Sequence, residues 1–231
     1  MFEISPTEWT AILLSLRVAI IATLVATPFG IALAWLLARR EFWGKSILDA
    51  AVHLPLVLPP VVTGYLLLLT FGRRGLVGAW LADHLGIVFA FRWTGAALAC
   101  GIMSFPLLVR PIRLSIEAID RRLEQASSTL GAAPWQVFAT VTLPLALPGV
   151  LAGMVLGFAK AIGEFGATIT FVSNIPGETQ TISSAIYSLI QTPDGDTAAG
   201  RLVLISIVIA MSALIASEWF ARRATKRLHG N

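Results

Sequence analysis

Charged residues, cysteines and histidines are scarce in this sequence of 231 residues. Charged side chains make up 13% of the chain, whereas soluble domains carry about 25%. The single cysteine, Cys100, lies in an apolar run, which excludes an internal disulfide and a cysteine-rich metal site. The three histidines are far apart in the sequence, which argues against a haem or metal-binding subunit.

Motifs for nucleotide chemistry are also missing. The sequence contains no G-x-x-x-x-G-K-[ST] phosphate loop, so we do not expect the chain to bind ATP itself. We likewise expect no catalytic residue, no metal site and no cofactor. Hydrophobic residues, in contrast, make up 56% of the chain, and the mean hydropathy is +0.80. This composition is that of a membrane protein.

Long apolar runs predict an all-α integral membrane protein that forms one domain over residues 1–231. A helix needs roughly 20 apolar residues to cross the hydrocarbon core. The five predicted spans are about 9–38, 49–71, 93–115, 143–172 and 200–220. The uncharged stretch 179–193 is too short to span, so it predicts a helix or re-entrant segment at the outer face.

The distribution of Lys and Arg predicts the orientation. If the N-terminus is outside, the inside loops hold eleven basic residues and the outside loops hold four. Such a bias places the basic side in the cytoplasm. We therefore expect a periplasmic N-terminus, a cytoplasmic C-terminus and a cytoplasmic segment at about 117–142. The N-terminal Ser5-Pro6-Thr7-Glu8 is a capping box, which predicts the start of the first helix.

The stretch from Gln125 to Pro144 is uncharged but rich in turn-forming residues. Gly131 predicts a bend, and Pro134 suits the first turn of a new helix. Trp135 is a candidate docking anchor because Trp is enriched at interface hot spots. Four arginines precede this stretch. We therefore predict that residues 117–142, named here the coupling segment, dock a soluble partner.

Residues of this region keep a defined spacing: Gln125-Ala126-Ser127, then Gly131, Val141 and Leu143-Pro144. The spacing resembles the cytoplasmic motif of permease subunits of binding-protein-dependent ABC importers. That motif reads E-A-A, three residues, Gly, nine residues, Ile, one residue, Leu-Pro. The chain departs from it at positions 125, 127 and 141, and Glu124 lies one place early. The resemblance implies these ATPase-coupling residues: Glu124, Gln125, Ala126, Gly131, Ala132, Pro134, Trp135, Leu143 and Pro144.

Three further blocks, residues 53–65, 104–110 and 163–179, resemble the molybdate importer permeases. This resemblance implies a type I ABC importer permease (MetI-like) fold in the bacterial inner membrane. It implies a pore formed by two copies of the chain, and two copies of an ATPase that binds ATP and Mg. A periplasmic binding protein would deliver the oxyanion. Sulfate or tungstate is the alternative substrate. A secondary transporter is the alternative class, although no inverted repeat or broken-helix pair is evident.

Proline and charged residues within the spans are candidates for the pore or its gate. Pro59 and Pro60 predict either a simple kink or a pore-lining irregularity. Thr63 lies just beyond them and favours close helix packing. Lys160 and Glu164 form an i,i+4 pair in an apolar run, and intramembrane charges are functional by default. We favour a structural ion pair over direct contact with the substrate, because a carboxylate repels an oxyanion.

Polar residues near the end of the fourth predicted span suggest a weakly coordinating path for an ion. The candidates are Thr168, Thr170, Ser173 and Asn174. The alternative is that their side chains hydrogen-bond to nearby helix carbonyls, which is common for Ser and Thr.

Overall fold

The computed structural model describes residues 4–228, with side chains as far as residue 216, and this part of the chain folds into α-helices without β-strands. The helices are α1 (Pro6–Arg39), α2 (Lys45–Val57), α3 (Pro60–Phe71), α4 (Leu76–Leu85), α5 (Trp93–Glu117), α6 (Arg121–Thr129), α7 (Pro134–Val137), α8 (Leu143–Ile162), α9 (Gly166–Val172), α10 (Ile182–Leu189) and α11 (Asp196–Leu228). A π-helical turn, Phe138–Thr142, joins α7 to α8. The capping box predicted at Ser5 is present.

Four helical stretches of the described residues are long and apolar enough to cross a membrane. They are Pro6–Arg39, Trp93–Glu117, Pro134–Ile162 and Asp196–Ala216. The pair α2 and α3 makes a fifth if it counts as one span, but its two helices meet at an angle of 114°. The all-α membrane fold predicted from the sequence is therefore confirmed, with four or five spans.

The span predicted over residues 49–71 is not a straight helix. Leu58 and Pro59 leave the helical conformation, and Pro60 occupies the first turn of α3. Consecutive prolines cannot donate the backbone hydrogen bonds that would continue α2. The structure therefore shows a break between two helices at Pro59 and Pro60, where a simple kink was one of the two predictions.

A second break divides the span predicted over residues 143–172. Helix α8 ends at Ile162, and α9 starts at Gly166. The two breaks lie together: a Cβ on Gly64 of α3 would come within 2.5 Å of the Ala167 carbonyl oxygen of α9. The sequence-based expectation that the chain has no pair of broken helices is therefore wrong. Only a residue without a side chain permits this backbone approach.

Helix α5 lies at the centre of the bundle, packed against both α1 and α8. Its residues Leu108, Val109 and Ile112 have no exposed surface. They form a core cluster with buried residues of α1 and α8, including Ala34 and Val150. This arrangement holds three of the long helices side by side.

Ion pairs identify which segments share each end of the bundle. Arg39 pairs with Glu124, so the C-terminal end of α1 lies at the coupling segment. Arg113 pairs with Asp49 at the same end, which we name the coupling face. Arg201 pairs with Glu8 at the other end, named the opposite face. These contacts agree with the grouping that the basic residues predict. The side chains of Arg222, Arg223, Lys226 and Arg227, also used in that prediction, lie outside the described ones.

Candidate functional site

The coupling segment folds into two short helices joined by a sharp bend. Asp120 caps α6 by accepting a hydrogen bond from the Arg122 backbone N–H at 2.9 Å. Gly131 follows α6 with a φ of +90°, a conformation that favours glycine. Pro134 then opens α7. The bend predicted at Gly131 and the helix start predicted at Pro134 are both present.

Two large apolar side chains project from this bend. Leu130 is 89% exposed and Trp135 is 70% exposed. Leu130 lies outside the long apolar stretches and Trp135 lies in the first turn of one, Pro134–Ile162, and exposed apolar patches of this kind mark interaction sites. Trp135 was expected in this position from the sequence, whereas Leu130 was not. From the sequence, a leucine at the end of an amphipathic helix is expected on the packed face of that helix. The position of Leu130 beside the Gly131 bend is the one feature that indicates its exposure.

Glu124 faces into the protein. Its carboxylate lies 3.0 Å from Arg39 Nε, and the two side chains are 17% and 8% exposed. Thr142, which closes the π-helical turn, donates a hydrogen bond to Glu124 Oε1 at 2.6 Å. Arg39 also donates to the Ile119 carbonyl oxygen at 3.3 Å. One carboxylate therefore links α6, α1 and the start of α8. Neither Arg39 nor Thr142 was singled out from the sequence, because each is far from Glu124 along the chain.

An aromatic contact reinforces this connection between α1 and the coupling segment. The rings of Trp35 and Phe138 meet edge to face, with centroids 6.0 Å apart. Such pairs contribute roughly 0.5–1.5 kcal/mol beyond their buried area. The C-terminal end of α1 is thus held to the coupling segment by packing as well as by charge.

The remaining predicted coupling residues divide between surface and interior. Gln125, Ala126 and Pro134 are exposed beside the bend, and Ala132 is half-buried. Leu143 packs against a core cluster. Pro144 is exposed in the first turn of α8. The face available to a partner therefore consists of the bend and the exposed side of α6, and the Leu-Pro end of the motif starts a membrane helix.

Lys160 and Glu164 form the ion pair predicted from their spacing. Lys160 Nζ lies 2.6 Å from Glu164 Oε2, and the side chains are 29% and 1% exposed. Glu164 Oε1 also accepts the backbone N–H of Ala167 at 3.0 Å, which caps α9. Cys100 Sγ donates to the Ala161 carbonyl, and Cys100 lies about 10 Å along α5 from its first residue. Because Ala161 is next to Lys160, the ion pair lies at about the depth of Cys100, within the membrane. Its contacts join the end of α8 to the start of α9, which is a structural role.

The predicted polar path does not form one continuous lining. Thr168 and Thr170 donate to the carbonyl oxygens of Phe165 and Gly166, both at 2.9 Å. These are the local helix hydrogen bonds that the sequence left as the alternative. Asn174 Nδ2 donates to Ser188 Oγ at 2.6 Å and thereby ties the end of α9 to α10. The remaining candidate there, Ser173, is exposed in the loop.

The candidates on α3 differ in exposure. Pro59 and Pro60 are exposed at the break. Thr63 is 6% exposed, and its hydroxyl has no hydrogen-bond partner within the described residues. The prolines therefore face outward from a single chain, whereas Thr63 lies in the packed interior.

Known proteins resemble nearly the whole chain. The chain is 61% identical to the molybdenum transport system permease protein ModB of Escherichia coli (strain K12), over 95% of this chain and 96% of that protein. It is 57% identical to ModB of Haemophilus influenzae, over 96% of each chain. A probable sulfate transport system permease protein, cysT of Nephroselmis olivacea, is 36% identical over 93% of this chain and 75% of its own length.

A solved structure confirms the fold. The crystal structure of a bacterial alginate ABC transporter in complex with its alginate-bound periplasmic protein contains a chain that matches with a TM-score of 0.75. The match covers 96% of this chain and 81% of that chain at 20% identity, so the likeness concerns the type I importer permease fold alone. The family described as binding-protein-dependent transport system inner membrane component matches residues 26–226. With its spans, its bend and this match, the chain belongs to the family of binding-protein-dependent transport system inner membrane components.

Proposed function

We propose that this chain forms the membrane pore of an ATP-driven importer and that its transported oxyanion is molybdate. The main support for molybdate as the substrate is the 61% identity, over 95% of this chain, to a molybdenum transport permease. The sulfate permease relative is more distant, at 36%. Family membership favours the ATP-driven class over a secondary transporter.

The assembly that we propose contains two copies of this chain and two copies of an ATPase that binds ATP and Mg. A periplasmic binding protein delivers the anion. The exposed Leu130 and Trp135 beside Gly131 supply the surface for the ATPase. ATP binding draws the two ATPase subunits together and moves the two coupling segments with them. The two permeases then rock between inward-open and outward-open states, a rigid-body switch.

The proposed orientation follows from charge. The coupling face carries Arg39, Arg40, Arg113, Arg121 and Arg122, and basic residues concentrate on the cytoplasmic side of inner membrane proteins. The coupling face is therefore cytoplasmic, and the start of α1 lies on the periplasmic side of the bacterial inner membrane. This orientation presents the coupling segment to a cytoplasmic ATPase and the opposite face to a periplasmic binding protein.

Uptake by cells tests the proposal. Cells that lack their own molybdate permease receive this chain with the cognate ATPase and binding protein, and the entry of radiolabelled molybdate is measured. We expect uptake that unlabelled molybdate suppresses and that sulfate at equal concentration leaves nearly unchanged. If sulfate suppressed molybdate uptake as strongly as unlabelled molybdate does, the proposed selectivity for molybdate would be wrong and the sulfate alternative would be favoured. Absence of uptake, with all three proteins present and assembled, would overturn the transport proposal.

A further inference from the structure

An apolar groove runs along the outside of the bundle between α1 and α5. Its volume is about 510 Å³, within the range of about 300–1,000 Å³ typical of ligand pockets. Thr94 is the one polar side chain among the residues that line it. Small residues such as Ala22 and Gly101 leave the space, and Phe29, Trp93 and Phe105 border it. A groove of this composition suits a hydrocarbon chain.

A cation lies at one end of the groove. The guanidinium carbon of Arg17 lies 3.8 Å from the centroid of the Trp93 ring, which itself lines the groove. Arg17 is exposed, and among the described residues it has no ion-pair partner within 4.0 Å. No carboxylate lines the groove. A ligand that neutralises Arg17 must therefore bring its own negative charge.

The depth of Arg17 matches the membrane boundary. Arg17 and Arg39 are separated by about 33 Å along α1, at roughly 1.5 Å per residue. The hydrocarbon core is about 30 Å thick. With Arg39 at the boundary of the coupling face, Arg17 lies at the headgroup level of the opposite face. Trp93, the first residue of α5, lies at the same level, where Trp is enriched.

We propose that this groove binds one phospholipid from the leaflet at the opposite face, with an acyl chain between α1 and α5 and the phosphate on Arg17. The planar guanidinium donates paired hydrogen bonds to phosphate oxygens. A phospholipid supplies both the apolar chain and the anion that the site requires. Free phosphate would leave the groove unfilled. The proposal needs only a membrane location, so its failure leaves the transport proposal standing.

Titration of the purified full-length protein with phosphatidylglycerol, followed by native mass spectrometry, measures this binding. Arg17→Gln removes the cation. Gly101→Leu fills the groove, and the first added atom comes no closer than 3.7 Å to Ala22, so the helices need not separate. The matched controls are Arg74→Gln, at an exposed arginine, and Gly200→Leu, where an added Cβ meets no atom within 4 Å.

We expect one phosphatidylglycerol per chain and a Kd raised about tenfold by Arg17→Gln and by Gly101→Leu. The controls should bind as the wild type does. Diacylglycerol, which lacks the phosphate, should bind to the wild type about tenfold more weakly than phosphatidylglycerol does. Its affinity should be the same for the wild type and for Arg17→Gln. Equal phosphatidylglycerol affinity in all variants overturns the proposal. So does a Gly101→Leu variant that loses its dimer but keeps its lipid affinity, because a second copy then covers the groove.

Discussion

Glu124 of the coupling segment and Arg39 at the C-terminal end of α1 lie 85 residues apart in sequence and form a partly buried ion pair. Thr142 donates to the same carboxylate from the π-helical turn. The coupling segment is thus fixed both to α8, which continues directly from it, and to α1. Because α5 also leads directly into the segment, a displacement of the segment by an ATPase would act on all three helices that form the centre of the bundle.

Replacing Glu124 tests this linkage. Glu124→Gln removes the charge attraction to Arg39 but keeps an oxygen that accepts from Thr142. The loss of a partly exposed ion pair should lower stability by about 1 kcal/mol. We expect ATPase binding within about twofold of wild type, with fewer molybdate ions transported per ATP hydrolysed. The measurement is the ratio of uptake to hydrolysis in proteoliposomes.

Glu117→Gln is the matched control, because Glu117 pairs with Arg113 at the same face but at 39% exposure. It should keep the wild-type ratio. The linkage would be refuted by a Glu124→Gln protein of normal stability that no longer binds the ATPase, since Glu124 would then belong to the docking surface.

Gly131 provides a test of the bend. Its φ of +90° is strained for other residues, although nothing lies within 4 Å of an added Cβ. Gly131→Val should therefore act through backbone strain, which costs roughly 1–2 kcal/mol in a left-handed conformation. We expect about tenfold weaker binding to the ATPase and unchanged membrane insertion. Gly131→Asn, which tolerates positive φ, should bind nearly as wild type. Wild-type affinity in the Val variant would exclude the bend from the contact.

The pair Lys160 and Glu164 is suited to a double-mutant cycle. Lys160→Met leaves a carboxylate with 1% exposure without its cation. It should lower the free energy of unfolding by about 1–3 kcal/mol, less than for a fully buried pair because Lys160 is 29% exposed. Glu164→Gln should be milder, since the amide oxygen can still accept from Ala167. The double variant should lose less than the sum of the single ones.

Strictly additive losses in thermal unfolding would show that the two side chains do not interact. Unchanged stability with abolished uptake in Glu164→Gln would assign the residue to the pathway or gate in place of a structural role.

The orientation can be tested by cysteine labelling in a Cys100→Ala background. Thr7 near the start of α1 and Ser128 in α6 are both exposed, so a cysteine at either site is accessible from its own side. An impermeant thiol reagent added to whole cells should label Thr7→Cys and not Ser128→Cys. Permeabilised cells, in which both should react, provide the control. The reversed pattern would invert the topology and remove the cytoplasmic docking surface.

Features set by local sequence were predictable. The bend at Gly131, the helix start at Pro134 and the Lys160–Glu164 pair each depend on residues within a few positions of one another. The breaks between α2 and α3 and between α8 and α9 were harder to predict. Pro59 and Pro60 indicated an irregularity, but the angle of 114° between α2 and α3 depends on how α3 packs against α9.

Contacts between distant segments could not be predicted from one sequence. From the sequence, Arg39 is one of several basic residues at span ends, and Thr142 is one residue of the uncharged stretch from Gln125 to Pro144. Their meeting at Glu124 depends on how α1 and α5 pack. The break at residues 163–165 was missed because the apolar residues on both sides of Gly163 and Glu164 were taken as one span, and the capping of α9 by Glu164 reveals it.

Reconstitution tests the central claim most directly. Proteoliposomes that contain this chain and its ATPase are loaded with ATP and Mg on the ATPase side, and radiolabelled molybdate with the binding protein is supplied on the other. We predict accumulation of molybdate that requires ATP hydrolysis and the binding protein, and that falls sharply with Gly131→Val in the permease. Molybdate accumulation that is equally fast without ATP, or that is unaffected by omission of the ATPase, would contradict the account.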